Sequence, residues 1–441
     1  MRRFIFVFLL LALLSGCTVR EPDPTQAEPA VTDATTVPSE ASPSQETESI
    51  QEAGAVQESE ENVETTAPAP EPQAERIESG VKILYGGLDL SHIMSDGSHL
   101  TKYYIASSGT LRISSETAFS SVYIQWDAIP GEYELVWEGG DLLCGTNDFL
   151  HEYVVLPQEV HEVTFRFNQA GQRTLCDAFL YTCGSAPEGI QVWLPPCEEA
   201  DILVFPTHAD DDVLFFGPMI SYYTIEQGLA VQTAFMVDHS WQYERNHERL
   251  NGLWEMGVRH YPVVGSAPDT GEHDFTFGLS YYSNSNILEW QVEQIRRFHP
   301  LVIVGHDLDG EYGNCGHKVN AYYLLQAVEA AADPDAFPVS AEIWGAWDTP
   351  KFYIHLYPEN EWYFDVNTPL SSDPMGRTPF QIAVDAFKCH VSQNTGYLYV
   401  HQEDDDRQWD CRPFGLYRTL VGLDTTADVM ENIDRYQWRK Q

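Results

Sequence analysis

The sequence predicts an α/β protein in which a doubly wound, mostly parallel, Rossmann-like sheet domain follows a small all-β sandwich domain. Three observations carry this. From Ala200 onward, short apolar runs alternate with longer helical ones; between about residues 81 and 196 the runs are short and rich in β-formers; and from Thr18 to Ser79 there is no Phe, Trp or Tyr. A segment without aromatic residues has nothing with which to build a core.

The chain opens with Met1-Arg2-Arg3 and an apolar run from Phe4 to Leu14, a charged start followed by an apolar stretch too short to span a bilayer. That is the grammar of a secretion signal. The run closes with Leu14-Ser15-Gly16-Cys17, which resembles the lipobox of bacterial lipoproteins. The resemblance implies cleavage before Cys17, lipidation of that cysteine, and an exported protein anchored to the cell membrane on its extracellular or periplasmic face.

Residues 18–79 read as a tether. Between Glu21 and Glu78 fifteen acidic residues face Arg76 alone, so the segment repels itself and extends. The whole chain carries a formal charge of -43, with only 24 Lys+Arg. Phosphate backbones are bound through basic patches, so nucleic acid is excluded as a partner class. Glycans fit better, because 12% aromatic residues supply stacking faces. Of eight cysteines, Cys17 is assigned to lipid and seven remain, which allows up to three disulfides in an exported protein.

The β-rich region (80–197) holds runs at Ser121–Trp126, Tyr133–Trp137, Glu152–Leu156, Glu162–Phe167, Ala178–Thr182 and Ile190–Leu194, separated by Gly, Pro and Asn. Tyr123, Trp126, Trp137 and Trp193 could form a glycan platform, though alternating aromatics in strands more often fill a core. In residues 198–441 strands are expected at Asp201–Pro206, Ala230–Val237, Tyr261–Gly265 and Leu301–Gly305, and helices at Leu214–Gln227, Glu244–Met256, Ile287–Phe298 and Val319–Ala331. Such sheets bind ligands beyond the carboxyl ends of their strands.

Two strand ends carry chemistry. The first strand runs into Thr207-His208-Ala209-Asp210-Asp211-Asp212. An imidazole and a carboxylate three residues apart on a turn can face one ion, and this donor pair suits Zn²⁺ with an open position. Asp210 then stands where it can take a proton from an activated water. The plainer reading is that these aspartates cap a helix, which leaves His208 unexplained. The second strand end reads Gly305-His306-Asp307-Leu308-Asp309-Gly310-Glu311-Tyr312-Gly313-Asn314-Cys315-Gly316-His317; its Asp307-x-Asp309-Gly310 turn lacks the further spacing of a calcium loop. His247-Glu248 opens like a zinc-protease motif but lacks the closing histidine. His355 and His390 lie in the C-terminal stretch, where a lone histidine in an apolar run is usually structural.

These segments resemble the PIG-L or LmbE-like de-N-acetylases, zinc enzymes acting on N-acetylglucosaminyl compounds. His208-Ala209-Asp210-Asp211-Asp212 is similar to their His-Pro-Asp-Asp-Glu signature, Arg245-x-x-Glu248 with Gly252 and Met256 to their intervening helix, and Gly305-His306-Asp307 through His317 to their second ligand segment. The resemblance implies zinc held by His208, Asp211 and His317, Asp210 as general base, Tyr312 polarising the carbonyl, Arg245 contacting substrate, and an N-acetylated sugar or glycoconjugate as substrate. Asn314 stands where many relatives carry histidine; it donates a hydrogen bond but does not titrate. That departure keeps open an alternative: a surface glycan-binding lipoprotein whose deacetylase-like domain is catalytically impaired.

Overall fold

The computed structural model describes residues 72–402 and 407–440. The leader, Cys17 and most of the expected tether lie outside them. All described residues belong to one compact unit, Ala69–Gln441. No helix among them is long and apolar enough to cross a membrane.

The first sheet has eight strands: β1 (Val81–Tyr85), β2 (Leu88–Asp89), β3 (Tyr103–Ala106), β4 (Leu111–Trp126), β5 (Tyr133–Trp137), β6 (Gly140–Cys144), β7 (His151–Phe167) and β8 (Gln172–Tyr181). Every pairing is antiparallel, in the order β2-β1-β4-β7-β5-β6, with β8 joining β4 and β3 joining β8. A register shift around Phe119 lets β4 pair β1 with its first half and β8 with its second. Such bulges bend a strand and re-aim its side chains. Leu111, Ile113, Trp126, Tyr133, Leu135 and Phe165 fill the interior.

Three expectations need correction here. Residues 72–79, expected as tether, are tied to the sheet: Gln73 bridges Ser185, Arg76 bridges Tyr181, and the Ile77 N–H donates to Leu180 O at 2.8 Å. Backbone pairing at a sheet edge needs no aromatic side chain, so composition hides it. Ile190–Leu194 is not a strand; only Leu194 forms a bridge, to His260. Finally, the seven described cysteines are all unpaired, five of them buried.

The second sheet contains β9 (Ile202–Val204), β10 (Val231–Val237), β11 (Val263–Ala267), β12 (Val302–Gly305), β13 (Lys351–His355), β14 (Glu361–Tyr363) and β15 (Pro413–Thr419) in the order β11-β10-β9-β12-β13-β15-β14. The first five strands in that order run parallel, and β15 and β14 close the edge antiparallel. The helices are α1 (Asp211–Leu214), α2 (Gly217–Ser221), α3 (Tyr243–Glu255), α4 (Phe275–Tyr281), α5 (Ile287–Phe298), α6 (Cys315–Ala332), α7 (Pro338–Trp344), α8 (Pro379–Phe387) and α9 (Arg435–Trp438). The single helix expected over Leu214–Gln227 is broken into α1, α2 and a π-turn at Tyr222–Glu226. Pro218, with no N–H to give, starts a new helix there.

Strand residues alternate between two cores. Ile202, Val204, Val302, Val304 and Tyr353 pack with Leu250 and Leu253 of α3 and Ile382 of α8, whereas Leu203, Phe205, Ile303 and Phe352 pack with Val292 and Ile295 of α5 and Leu324 of α6. Apolar residues on both sides of each strand are what a helix-covered parallel sheet requires. The chain runs outward from β9 through β10 to β11, then returns to place β12 on β9's other side. Loops after β9 and β12 therefore diverge and leave a crevice at their carboxyl ends.

Candidate active site

Both predicted segments meet in that crevice. After β9 the chain bends sharply at Asp210, whose φ is 134°, and Asp210 O accepts the Val213 and Leu214 N–H groups that open α1. After β12 a short turn carries Glu311 and Tyr312, the latter at φ 45°, and Asn314 caps the start of α6. Gly310 (φ 68°) approaches Asn314 O so closely that an added Cβ would lie 2.6 Å from it. Non-glycine residues at positive φ cost roughly 1–3 kcal/mol each and persist only where the surroundings hold them. Two such residues flank this crevice.

His208 Nδ1, Asp211 Oδ2 and His317 Nε2 form a triangle with all three edges 3.2 Å. Donors of a tetrahedral ion with bonds near 2.0 Å stand about 3.3 Å apart, so the triangle fits Zn²⁺ with a fourth position open. All three side chains are buried. A second grouping, His306, Glu311 and His317, is close enough in space but wrong in orientation. The rings of His306 and His317 stack at 4.2 Å and 19°, so their lone pairs run side by side, and His306 Nε2 already accepts the Thr207 N–H at 2.9 Å.

Glu311, wholly buried, organises the histidines. One oxygen lies 2.7 Å from His306 Nδ1 and 2.8 Å from His317 Nδ1; the other lies 2.8 Å from His355 Nδ1 and accepts the Asp307 N–H. Its contact fixes the His317 tautomer and leaves Nε2 free for a ligand role, the usual carboxylate support of a metal-bound histidine. Burial opposes the charge, yet the three histidines hold Glu311 well below the usual carboxylate range. His317 itself is lifted to about 10: burial would lower it, and Asp211 and Glu311 outweigh burial.

Arg245, on α3, is buried and reaches Ala209 O, Asp210 Oδ1 at 2.9 Å and Asp269 Oδ2 at 3.3 Å. It is thus no surface ion pair; it braces the strained turn. Burial raises the Asp210 carboxyl above the ordinary range, and Arg245 works against that rise. Asp269 lies 3.3 Å from His208 Nε2 and 3.5 Å from His239 Nδ1. Sequence reasoning misses Glu311, Asp269 and His239. His239 follows β10 by two residues and Asp269 follows β11 by two, so reading past every strand end would find both.

The crevice opens into a cavity of about 740 Å³, lined among others by His208, Asp210, Arg245, Asp269, Tyr312 and Asn314. Tyr312 stacks on Trp409 at 4.6 Å and 8°, which fixes its ring. Asn314 lines the cavity, but its side-chain oxygen caps α6, accepting the Gly316 N–H at 2.7 Å and the His317 N–H at 3.4 Å. His355 does reach the site, through Glu311. His390 is buried in the core nearby, and neither of its nitrogens has a hydrogen-bond partner.

Residues 1–18 match the prokaryotic membrane lipoprotein lipid attachment site. A 1D-myo-inositol 2-acetamido-2-deoxy-alpha-D-glucopyranoside deacetylase of Catenulispora acidiphila is 25% identical over 205 residues, covering 41% of this chain and 62% of that protein. The chain therefore spans less than two thirds of that relative's length. Among solved structures, a conserved protein of Thermus thermophilus is 17% identical (45% of this chain, 81% of that one, TM-score 0.33). An N,N'-diacetylchitobiose deacetylase of Pyrococcus horikoshii is 16% identical (45% and 72%, TM-score 0.33).

Proposed function

We propose that this chain, a PIG-L or LmbE-like protein with a lipoprotein leader, is a zinc-dependent hydrolase that removes the N-acetyl group from an amino-sugar-containing substrate outside the cell. The observation that carries the reading is the triangle of His208, Asp211 and His317, which faces a cavity holding Asp210. In this reading residues 80–197 are a β-sandwich module, residues 198–441 the catalytic domain, and Cys17 the lipidated N-terminus.

His208 Nδ1, Asp211 Oδ2 and His317 Nε2 would hold the ion, which when bound supplies Lewis-acid polarisation of the acetyl carbonyl and makes water nucleophilic near neutral pH. Asp210 takes the proton of the attacking water and returns it to the departing amine. Its elevated pKa suits that exchange. Arg245 holds the Asp210 carboxylate in place. Tyr312, fixed by Trp409, is the donor toward the developing oxyanion. Asp269 and Glu311 orient His208 and His317. Trp241, 95% exposed at the cavity rim, offers a flat face for a sugar ring.

The alternative of a glycan-binding lipoprotein without catalysis draws on Asn314 and on the aromatics of the β-region. Asn314 serves as a helix cap, and of the four aromatics Tyr123, Trp126 and Trp193 are buried; half-buried Trp137 alone makes no platform, so these observations favour the catalytic reading. Acetate release from a panel of N-acetylated sugars by zinc-loaded protein tests it. Asp210→Asn should lower kcat by about 10²–10⁴-fold with the metal retained. A folded protein that binds no metal and releases no acetate overturns the reading.

A further inference from the structure

A second histidine cluster lies where the antiparallel sheet meets α3. His151 Nδ1 is 2.8 Å from Gln191 Oε1, His151 Nε2 is 2.8 Å from His247 Nδ1, and His247 Nε2 is 3.9 Å from Cys176 Sγ. Gln191 Oε1 is also taken by the Trp193 indole N–H at 2.9 Å. The direction of the chain follows from its end. An amide oxygen only accepts, so His151 donates from Nδ1; His151 Nε2 then accepts from His247 Nδ1–H; and His247 Nε2 is left with a lone pair aimed at sulfur. This is the arrangement of a metal-binding histidine whose other nitrogen is held by an outer partner.

Asp127, at the end of β4, completes the set: ligand atoms of Asp127, Cys176 and His247 lie within 4.8 Å of one another, and all three residues are buried. Around a tetrahedral Zn²⁺ a thiolate sulfur and an imidazole nitrogen stand about 3.6 Å apart, close to the 3.9 Å seen. His99 is also near, but its ring stacks on His247 at 4.0 Å and 16°, so the two lone pairs point in parallel and cannot converge on one ion. We propose that Asp127, Cys176 and His247 form a second, structural metal site for Zn²⁺ or a similar borderline-soft divalent cation, with water as fourth ligand.

Two features of the cluster shape how it binds. Lys102 Nζ sits 2.9 and 3.0 Å from the two Asp127 oxygens, as a cation stand-in on a part-exposed side chain that can swing to solvent. Burial keeps the Cys176 thiol protonated, so binding releases its proton to solvent as the metal–sulfur bond forms. The ligands come from both sides of a junction: Asp127 and Cys176 from the antiparallel sheet, His247 from α3, two residues after Arg245. A metal there links the antiparallel sheet to α3.

The test uses Co²⁺ on full-length, chelator-stripped protein in detergent. The catalytic triangle contains no sulfur, so a thiolate-to-cobalt charge-transfer band in the near ultraviolet reports this site alone. Expected are that band and two metal ions per chain. Cys176→Ser should abolish the band and reduce the stoichiometry to one, with acetate release by the zinc-loaded enzyme unchanged. One ion per chain and no band in the unmutated protein, or a band that survives in Cys176→Ser, overturns the proposal without touching the catalytic reading.

Discussion

Four buried histidines of this protein form two populations that differ in what stands opposite them; His306 stands apart, lowered by burial and by His317 although Glu311 faces it. His317 and His208 face carboxylates, and their pKa values are raised although both are fully buried. His151 and His390 face no carboxylate, and burial drives both down to about 3. The same side chain at the same depth is pushed in opposite directions by its partner. Carboxylate support fixes a ring's tautomer and strengthens its basicity, the properties a metal centre needs; an amide or apolar neighbour leaves a neutral ring.

The largest effect should come from removing the carboxylate that anchors His317, one of the two members of the first population. Glu311 accepts at three histidine nitrogens, which a carboxylate can do with four lone-pair sites. In Glu311→Gln one side of the amide donates, so at least one imidazole N–H faces another N–H. Metal affinity should fall about 10–100-fold, read by competition with a chromogenic chelator. Affinity unchanged in Glu311→Gln would mean that the histidines need no carboxylate and that the contrast between the two populations has no bearing on metal binding.

How far the sequence reaches follows the same division. His208, Asp211 and His317 are legible because each lies in the segment that follows a strand, within a motif whose spacing survives in one dimension. Glu311 and Asp269 are not: their roles exist only once β11 and β12 are placed beside β9 and their loops converge. The strand–helix alternation after Ala200 is legible from hydrophobic period, and Ile287–Phe298 matches α5. The motif draws attention to Asn314 for its chemistry, whereas its position one residue before α6 already identifies a cap. The junction cluster draws on β7, β8 and α3 and leaves no local pattern at all.

A smaller effect should expose the second population. His390 is fully buried, pressed against Gly252 and Phe387, with both nitrogens unpartnered. Its folded pKa lies near 3 and its unfolded value near 6.5, so the unfolded chain binds the extra proton first. Stability from this group is therefore intact above pH 6.5 and declines as pH falls toward 3, by about 1.4 kcal/mol per pH unit at most. His390→Leu should flatten the acid limb of a denaturation-against-pH curve by one proton and leave the neutral plateau equal or higher. An acid limb that keeps its slope assigns the proton uptake elsewhere.

The finest distinction concerns how the anchored histidines are delivered. His317 is the third residue of α6, and Asn314 Oδ1 caps that helix through the Gly316 and His317 N–H groups. Losing an N-cap costs about 1 kcal/mol. If capping is Asn314's whole contribution, Asn314→Asp keeps the acceptor and retains both stability and kcat, while Asn314→Ala lowers thermal stability by about that amount and weakens metal affinity by a similar factor. If instead its amide N–H₂ touches the substrate carbonyl, Asn314→Asp loses that donor and kcat falls with stability unchanged. Measuring both variants for melting temperature and kcat separates a residue that positions His317 from one that acts on substrate.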